Sequence, residues 1–96
     1  MTLFSFPEDA RWNETADAVE FEVRVGEYSG VVRVRRQVFR HLLEHKMTPQ
    51  GCIEAFHLYR SAFERAAEIK VRARSLTEDG NIELTLRDLR SFGGRS

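Results

Sequence analysis

Two histidines and a glutamate in the segment 41–45 (HLLEH) are the residues whose spacing best suits chemistry. His41 and His45 would lie one turn apart on a helix and could bind one zinc ion, with Glu44 as general base, as in inverted zinc proteases. Such a site also needs a third ligand and a substrate cleft, and no further cluster of histidines or acids follows. We therefore expect solvated histidines beside the apolar stripe of a short helix, with neither a metal site nor a catalytic site.

The single cysteine, Cys52, is the second candidate for chemistry. On a helix, Cys52 and His57 would project about 140° apart, because successive residues turn by about 100°. The two side chains cannot reach one ion from those directions. Cys52 falls among the apolar positions of its helix, which predicts a small core residue rather than a nucleophile. One cysteine forms no internal disulfide, and this is compatible with a reducing cytoplasm.

Charge is unevenly distributed in a chain whose formal net charge is zero. Residues 1–32 are rich in acids and residues 33–48 in arginines; we call Arg33, Arg35, Arg36 and Arg40 the basic strip. Opposite charges on neighbouring strands most simply pair with each other, and we favour this interpretation. The alternative is weak binding of nucleic acid by the basic strip. Against it, no aromatic residues alternate with these arginines, and no excess of positive charge would attract a polyanion.

Two further cations, Arg60 and Lys70, belong to the longest predicted helix and stand at the border of its apolar positions or among them. The simpler interpretation is that their aliphatic stems pack while their charged ends reach water or the acidic strands. Together with Arg35 and Arg36, they are also our candidates for contacting an anion or the carboxylate of a partner at the seam between helix and sheet.

The remaining patterns exclude several classes of protein. A glycine-rich phosphate loop is absent, since Gly93-Gly94 lies at the end of the chain. No apolar run approaches the roughly 20 residues of a membrane span, and residues 1–6 lack the basic start of a signal peptide. We expect a cytoplasmic protein without a cofactor. Its 96 residues suit a single domain, residues 1–92, with a flexible tail at 93–96.

Alternating residues predict a small antiparallel sheet with one buried face. Apolar side chains occupy every second position of 19–25 and again of 32–34, with charged residues or glycine between them. This pattern predicts a hairpin of strands 18–28 and 31–35, preceded by short N-terminal strands and followed by a short strand at 82–85. For the hairpin we favour a four-residue turn, 27–30, over a two-residue turn that would set Arg24 opposite Arg35.

Two helices are predicted between these strands. The short helix spans about 36–46 and has Val38, Phe39, Leu42 and Leu43 on one side. The long helix spans about 49–74 and begins with Thr48 as N-cap and Pro49 at its first position. The predicted fold class is therefore α+β, with the sheet packed on one long helix and one short helix.

Several of these positions together resemble DUF1488, a small bacterial family of unknown function. The resemblance rests on Phe6, the strand 18–21, the helix positions Phe56, Arg60, Phe63 and Ala67, and the segments 83–85 and 88–89. It spans nearly the whole chain and consists of apolar spacings rather than a signature motif. It implies a compact α+β domain without an assigned activity. The chain departs from the family pattern at Arg35-Arg36, where a serine or threonine cap would be expected before the first helix.

The long predicted helix has a wider apolar arc than packing on one surface requires. The arc covers roughly 180° of the helix, where about 100° suffices for one contact surface. Leu58, Ala62 and Ile69 form the additional flank, which we expect to meet either the short helix or a second subunit. The sequence therefore predicts a non-catalytic interaction or accessory module, with a second copy of the chain as candidate partner.

Overall fold

The computed structural model describes residues 3–7, 9–44 and 46–93, with side chains described as far as Leu89. The strands in chain order are β1 (Phe4–Ser5), β2 (Arg11–Asn13), β3 (Ala18–Val25), β4 (Tyr28–Arg35) and β5 (Ile82–Leu84). The helices are α1 (Arg36–Leu43), α2 (Pro49–Leu58), α3 (Arg60–Arg72) and α4 (Leu86–Gly93). The predicted α+β class is confirmed.

The five strands form one sheet whose centre is the hairpin of β3 and β4. Strands β1 and β2 pair antiparallel with β3 on one side, and β5 pairs parallel with β4 on the other. The sheet is therefore mixed, and the prediction of a wholly antiparallel sheet is wrong for β5. The reason is topological, because the chain passes through three helices between β4 and β5. A crossover of that length can return a strand in the same direction.

The hairpin has a tighter turn than predicted. Val25 pairs with Tyr28 across a two-residue turn, so the predicted four-residue turn is wrong. Gly26 in this turn has a φ of 59°, which tight hairpin turns require and glycine adopts at little cost. The observed register puts the apolar residues of both strands on one face, with Phe21 opposite Val32.

The predicted helix at 49–74 is divided at Tyr59, which is the C-cap of α2 and the N-cap of α3. Tyr59 has a φ of −113° and a ψ of 31°. Its amide still donates to the carbonyl of Ala55 at 3.0 Å, and its own carbonyl accepts from the amides of Ala62 and Phe63 at 3.0 and 3.4 Å. The break therefore leaves these backbone groups bonded. It involves neither proline nor glycine, the residues that usually mark a kink in a sequence.

The outer ends of this broken helix follow ordinary capping chemistry. The hydroxyl of Thr48 accepts a hydrogen bond from the amide of Gly51 at 2.9 Å, which confirms the predicted N-cap. At the other end α3 stops at Arg72, two residues earlier than predicted. Arg74 has a φ of 57°, and the amide of Ser75 donates to the carbonyl of Lys70 at 2.9 Å. This is the arrangement of a Schellman motif, here with arginine where glycine is commoner.

Helix α1 is shorter than the predicted 36–46, since it ends at Leu43 and Glu44 takes a left-handed conformation with a φ of 61°. No side chain caps its start, in agreement with the missing serine or threonine. Instead, the amide of Arg36 donates to the carbonyl of Asp17 at 2.9 Å. A tertiary contact with the turn before β3 therefore replaces the local cap.

The core lies between one face of the sheet and the helices. Phe21 from β3 contacts Phe56 from α2 with ring centroids 4.7 Å apart, and Phe56 contacts Phe63 from α3 at 5.5 Å. Phe39 from α1 joins this row at 5.4 Å from Phe63. Cys52 is fully buried among these residues, as predicted. The aromatic row thus joins the sheet to α1, α2 and α3.

The C-terminal end of the chain is helical as far as the structure describes it. Helix α4 is preceded by Thr85, whose amide donates to the Asp88 carboxylate at 2.8 Å. Residue 93, the first of the predicted tail, is the last residue of α4. Residues 94–96 lie outside the described part of the chain.

Candidate interaction surface

An open apolar groove of about 300 Å³ lies on the helical side of the molecule, where α1, α3 and α4 meet. We call it the helical groove. Leu42 and Leu43 line it from α1, and Leu89 lines it from α4. The remaining wall comes from the helix junction and the first turn of α3, with Tyr59, Ala62 and Phe63. Phe63 also belongs to the core, so the groove is an opening in the molecular surface directly over core residues.

One residue of the predicted flank, Ala62, lines the helical groove. The other two, Leu58 and Ile69, are large apolar side chains with 74% and 52% of their surface exposed. Tyr59, which also lines the groove, is 47% exposed. Apolar side chains that are exposed singly are common, but Tyr59 and Ala62 share an apolar cavity.

The break at Tyr59 explains why this side chain reaches the solvent. In a continuous helix, residue 59 would lie within about 60° of both Phe56 and Phe63, on the buried side, because successive residues turn by about 100°. The non-helical dihedral angles of Tyr59 change the direction of the chain between α2 and α3, and its side chain is 47% exposed. Leu58 faces outward for a different reason, because it lies about 200° around α2 from buried Phe56.

On the opposite face of the sheet, the two arginines that β4 contributes to the basic strip form ion pairs within the chain. Arg33 Nη2 lies 2.9 Å from Glu20 Oε2, on a residue directly opposite it in the hairpin. Arg35 Nε lies 2.6 Å from Glu83 Oε2. These contacts agree with the interpretation that opposite charges of neighbouring strands pair with each other.

Glu20 is the most buried charged residue of the described chain, with 5% of its surface exposed. Its Oε2 accepts from Asn13 Nδ2 at 2.9 Å and from Arg33 Nε at 3.0 Å. Its Oε1 lies 3.5 Å from Arg11 Nη2. A carboxylate taken so far out of water needs such partners, since an unpaired buried charge is strongly destabilising.

Arg36 of the basic strip is also held by an acid, whereas Arg40 is exposed on α1. Arg36 Nη2 lies 2.7 Å from Asp17 Oδ1, and its guanidinium stacks 5.2 Å from the ring centroid of Trp12. Hydrogen bonding to Asp17 raises the pKa of Arg36, and hydrogen bonding to Glu83 raises the pKa of Arg35. Trp12 sits half-buried on β2 beside these contacts, as a sheet-edge anchor.

Arg60 and Lys70 occupy separate places, so the structure does not bring the four candidate cations together. Arg60 Nε lies 2.7 Å from Glu64 Oε2, and the guanidinium lies 5.7 Å from the ring centroid of Phe56. Lys70 Nζ lies 3.3 Å from Asp88 Oδ2, which links α3 to α4. Both side chains are partly buried and paired, in agreement with the simpler interpretation of stems that pack and ends that meet acids.

A second, polar cleft of about 560 Å³ lies between the outer face of the sheet and the loop before β5. Its floor contains Glu20, Arg33 and Glu83, all of which are already paired as described. Its wall is the loop 77–81, where Asn81 Oδ1 accepts the Val31 amide at 2.9 Å. The charged groups on the floor of this cleft are therefore already paired with each other or with neighbouring residues of the chain.

The residues considered for metal or nucleophilic chemistry do not converge in the described chain. His41 is exposed on α1, Glu44 follows the end of that helix, and His45 lies outside the described residues. Within residues 3–7, 9–44 and 46–93, no three side chains of His, Cys, Asp or Glu are grouped to hold a metal ion. Burial raises the pKa of the Cys52 thiol, which keeps it protonated and poorly nucleophilic.

Three residues of the helical groove were missed by sequence reasoning. Leu42 and Leu43 had been assigned to the apolar side of the short helix and Leu89 to no surface, and nothing local shows that these residues border a gap. The available signal was an excess of apolar positions: Val38 and Phe39 already fill the contact of α1 with the core. Leu42 and Leu43 are only partly buried beyond them.

Comparisons with known proteins agree with this fold. Residues 4–84 match the family described as "Protein of unknown function (DUF1488)". A protein of unknown function from the DUF1488 family of Shewanella loihica PV-4, solved as a crystal structure, superposes with a TM-score of 0.78 at 20% sequence identity. The alignment covers 84% of this chain and 90% of that one, and identity at this level shows the fold alone. A search of curated proteins finds no match. Among the described residues, no helix is both long and apolar enough to cross a bilayer.

Proposed function

Since the chain belongs to the DUF1488 family, whose function is unknown, we propose that it is a non-catalytic, cytoplasmic interaction module that forms a homodimer through the helical groove. The observation that carries the proposal is the groove itself: an apolar cavity over the core, lined by three helices and by half-exposed Tyr59. Removing such surface from water is the main driving force of most protein association.

Charge favours a second copy as the occupant. The formal net charge of zero means that two copies do not repel each other at long range, whereas a large net charge would keep them apart. Arg33, Arg35 and Arg36 are paired with acids of the same chain, which favours the apolar groove over these charges as the surface of association. The small size of the groove suits a dimer that dissociates on dilution.

The alternative, binding of nucleic acid by the basic strip, is less favoured by the geometry. Arg33, Arg35 and Arg36 would each have to leave a carboxylate partner to contact a phosphate. A phosphate contact contributes the most binding free energy where the cation is free to replace condensed counterions.

Light scattering coupled to size exclusion, over a series of protein concentrations, tests the dimer. We expect the mass to approach twice the 11.2 kDa of the chain as concentration rises. Tyr59→Glu, which puts a charge at the wall of the helical groove, should shift the equilibrium to monomer. Leu3→Glu is the matched control, because Leu3 is 73% exposed and lies outside the helical groove. A wild-type chain that stays monomeric at every concentration would refute the proposal.

A further inference from the structure

We infer that the polar cleft beside the loop before β5 binds a small zwitterion, whose carboxylate meets Arg33 and whose ammonium group meets Glu78 and Asp79. All three side chains line this cleft of about 560 Å³. Small-molecule sites commonly have volumes of roughly 300–1,000 Å³. The inference goes beyond the proposed dimer and does not depend on it, because the polar cleft and the helical groove share no lining residue in the described chain.

The floor of the polar cleft retains a formal positive charge. Arg11 and Arg33 share the carboxylate of Glu20, at 3.5 and 2.9 Å, so two positive charges meet one negative charge. Only Nε and Nη2 of Arg33 contact this carboxylate, although a guanidinium carries five N–H donors. In the described part of the chain, the guanidinium of Arg33 has no other partner, and 37% of its side chain is exposed. The ion pair therefore orients Arg33 and leaves donors for the carboxylate of a ligand.

The wall of the polar cleft carries two negative charges, on Glu78 and Asp79. Asp79 accepts a hydrogen bond from the hydroxyl of Thr77, whereas Glu78 has no hydrogen-bond or ion-pair partner within the described residues. Glu83 also lines the cleft, but Arg35 balances its charge. Two carboxylates that no cation balances favour an ammonium group, which donates charge-assisted hydrogen bonds to both.

The loop that carries these acids is held in place by the fold. The Gly80 amide donates to the Thr77 carbonyl at 2.9 Å, and the Thr77 amide donates to the Asn81 carbonyl at 2.8 Å. The loop is tied to β4 by the Tyr28 hydroxyl, which donates to the Gly80 carbonyl, and by the Val31 amide, which donates to Asn81 Oδ1. A wall that is ordered before binding loses little conformational freedom when a ligand arrives.

The opposite signs of floor and wall select a zwitterion over an ion of either sign. A simple anion beside Arg33 is repelled by the acids of the wall, and a simple cation beside those acids is repelled by the excess positive charge of the floor. A molecule that carries both groups is attracted at both places. The same charges therefore favour one class of ligand and disfavour two others.

Titration of the isotope-labelled chain, followed by amide NMR spectra, tests the site with four amino acids of increasing length: glycine, β-alanine, γ-aminobutyrate and 6-aminohexanoate. We expect at least one of them to shift the amide signals of Val31 and Asn81, which line the cleft, in a saturable manner. Acetate and methylamine, which each carry one of the two charged groups, should bind at least about tenfold more weakly. The inference is overturned if none of the four probes binds, or if acetate or methylamine binds as well as they do.

A charge variant tests the ammonium end. Glu78→Gln removes an exposed charge without a partner in the described chain, so the fold should be kept, and the dissociation constant of the tightest probe should rise by at least about threefold. Glu54→Gln is the matched control, because Glu54 is equally an exposed glutamate but lies on α2, outside the cleft. Equal affinity of the two variants would contradict the binding of the ammonium group at this wall.

A second variant tests the carboxylate end. Arg33→Lys keeps a positive charge beside Glu20 but carries three N–H donors instead of five, so the probe should again bind at least about threefold more weakly. Circular dichroism establishes that this variant keeps the fold. A folded Arg33→Lys chain with the affinity of the wild type would mean that the spare donors of Arg33 do not bind the ligand.

Discussion

At the scale of single residues, Gly30 leaves the space that a tyrosine ring needs to hold the start of β4 in place. The ring of Tyr28 lies over Gly30, and its hydroxyl donates to the carbonyl of Gly80 at 2.7 Å. This bond ties the start of β4 to the loop before β5. A Cβ at position 30 would occupy the place of the Tyr28 hydroxyl, so the ring could not stay where it is.

We expect Gly30→Ala to lower the free energy of unfolding by about 1–3 kcal/mol, through displacement of the ring and loss of its hydrogen bond. Urea denaturation measures this change. Tyr28→Ala removes the obstacle, so adding Gly30→Ala to it should cost much less than in the wild type. An equal cost in both backgrounds would mean that the tyrosine is not the reason for the glycine.

Glu20 is the second residue whose removal should be costly. Glu20→Gln leaves Arg11 and Arg33 without their shared carboxylate on a nearly buried site, and we expect a loss of about 1–3 kcal/mol in the free energy of unfolding. Glu22→Gln is the matched control, because Glu22 makes only an exposed contact of 3.4 Å with Arg24. Its cost should stay below about 0.5 kcal/mol. Equal losses for the two variants would show that burial of Glu20 does not strengthen the stabilisation by its ion pairs.

The thiol of Cys52 should be unreactive in the folded protein. Burial raises its pKa, so at neutral pH the thiolate fraction is smaller than that of a free cysteine, and it grows only as the pH rises towards the higher pKa. We expect labelling by a thiol reagent to be slow in buffer and complete within the mixing time in concentrated urea. Fast labelling of the folded chain at neutral pH would contradict the burial of this side chain.

At the scale of elements, the start of α2 rests on one local bond. Thr48→Ala removes the hydroxyl that accepts the Gly51 amide, and loss of such a cap costs about 1 kcal/mol. Thr48→Ser keeps an acceptor at the same place and should retain most of that stability. Thermal unfolding of the two variants distinguishes the cap from other effects of the substitution. If serine is as destabilising as alanine, the hydroxyl bond is not what stabilises this end.

The sequence predicted those elements whose causes are local. Alternation from Val19 to Val25 identified a half-buried strand, and Thr48-Pro49 identified the start of a helix, because each signal acts within a few residues. The turn of the hairpin was misplaced, since alternation is equally compatible with other registers until Gly26 is seen to take a positive φ.

The errors that bear on function come from contacts distant in sequence. The break at Tyr59 has no proline or glycine to announce it, and β5 lies parallel to β4 only because three helices intervene. The helical groove likewise requires α1, α3 and α4 to meet without closing the space between them. The exposed flank at Leu58 and Ile69 could be predicted from an apolar arc that was too wide, whereas the groove walls supplied by α1 and α4 could not.

At the scale of the whole molecule, the two sides differ in polarity. Charged residues on the sheet face pair with each other, whereas the groove on the helical side is largely apolar. Arg33, Arg35 and Arg36 of the basic strip are paired within the chain with acids from outside their own strand or helix, and the formal net charge of the chain is zero. If its arginines serve the fold, reversing one charge should affect stability, and reversing its partner should restore it. If they bind nucleic acid, the exchange of partners should not restore binding.

Arg35→Glu places two carboxylates together and should cost about 1 kcal/mol in the free energy of unfolding, since the wild-type pair with Glu83 is partly exposed. Adding Glu83→Arg exchanges the two charges and should recover most of this loss. In gel shifts at low salt with single- and double-stranded DNA and RNA, we expect neither the wild type nor the exchanged variant to bind. Binding by the wild type that the exchange abolishes would establish the basic strip as a nucleic-acid surface. It would also mean that the ion pairs seen here open to admit phosphates, at a cost small enough for counterion release to exceed it.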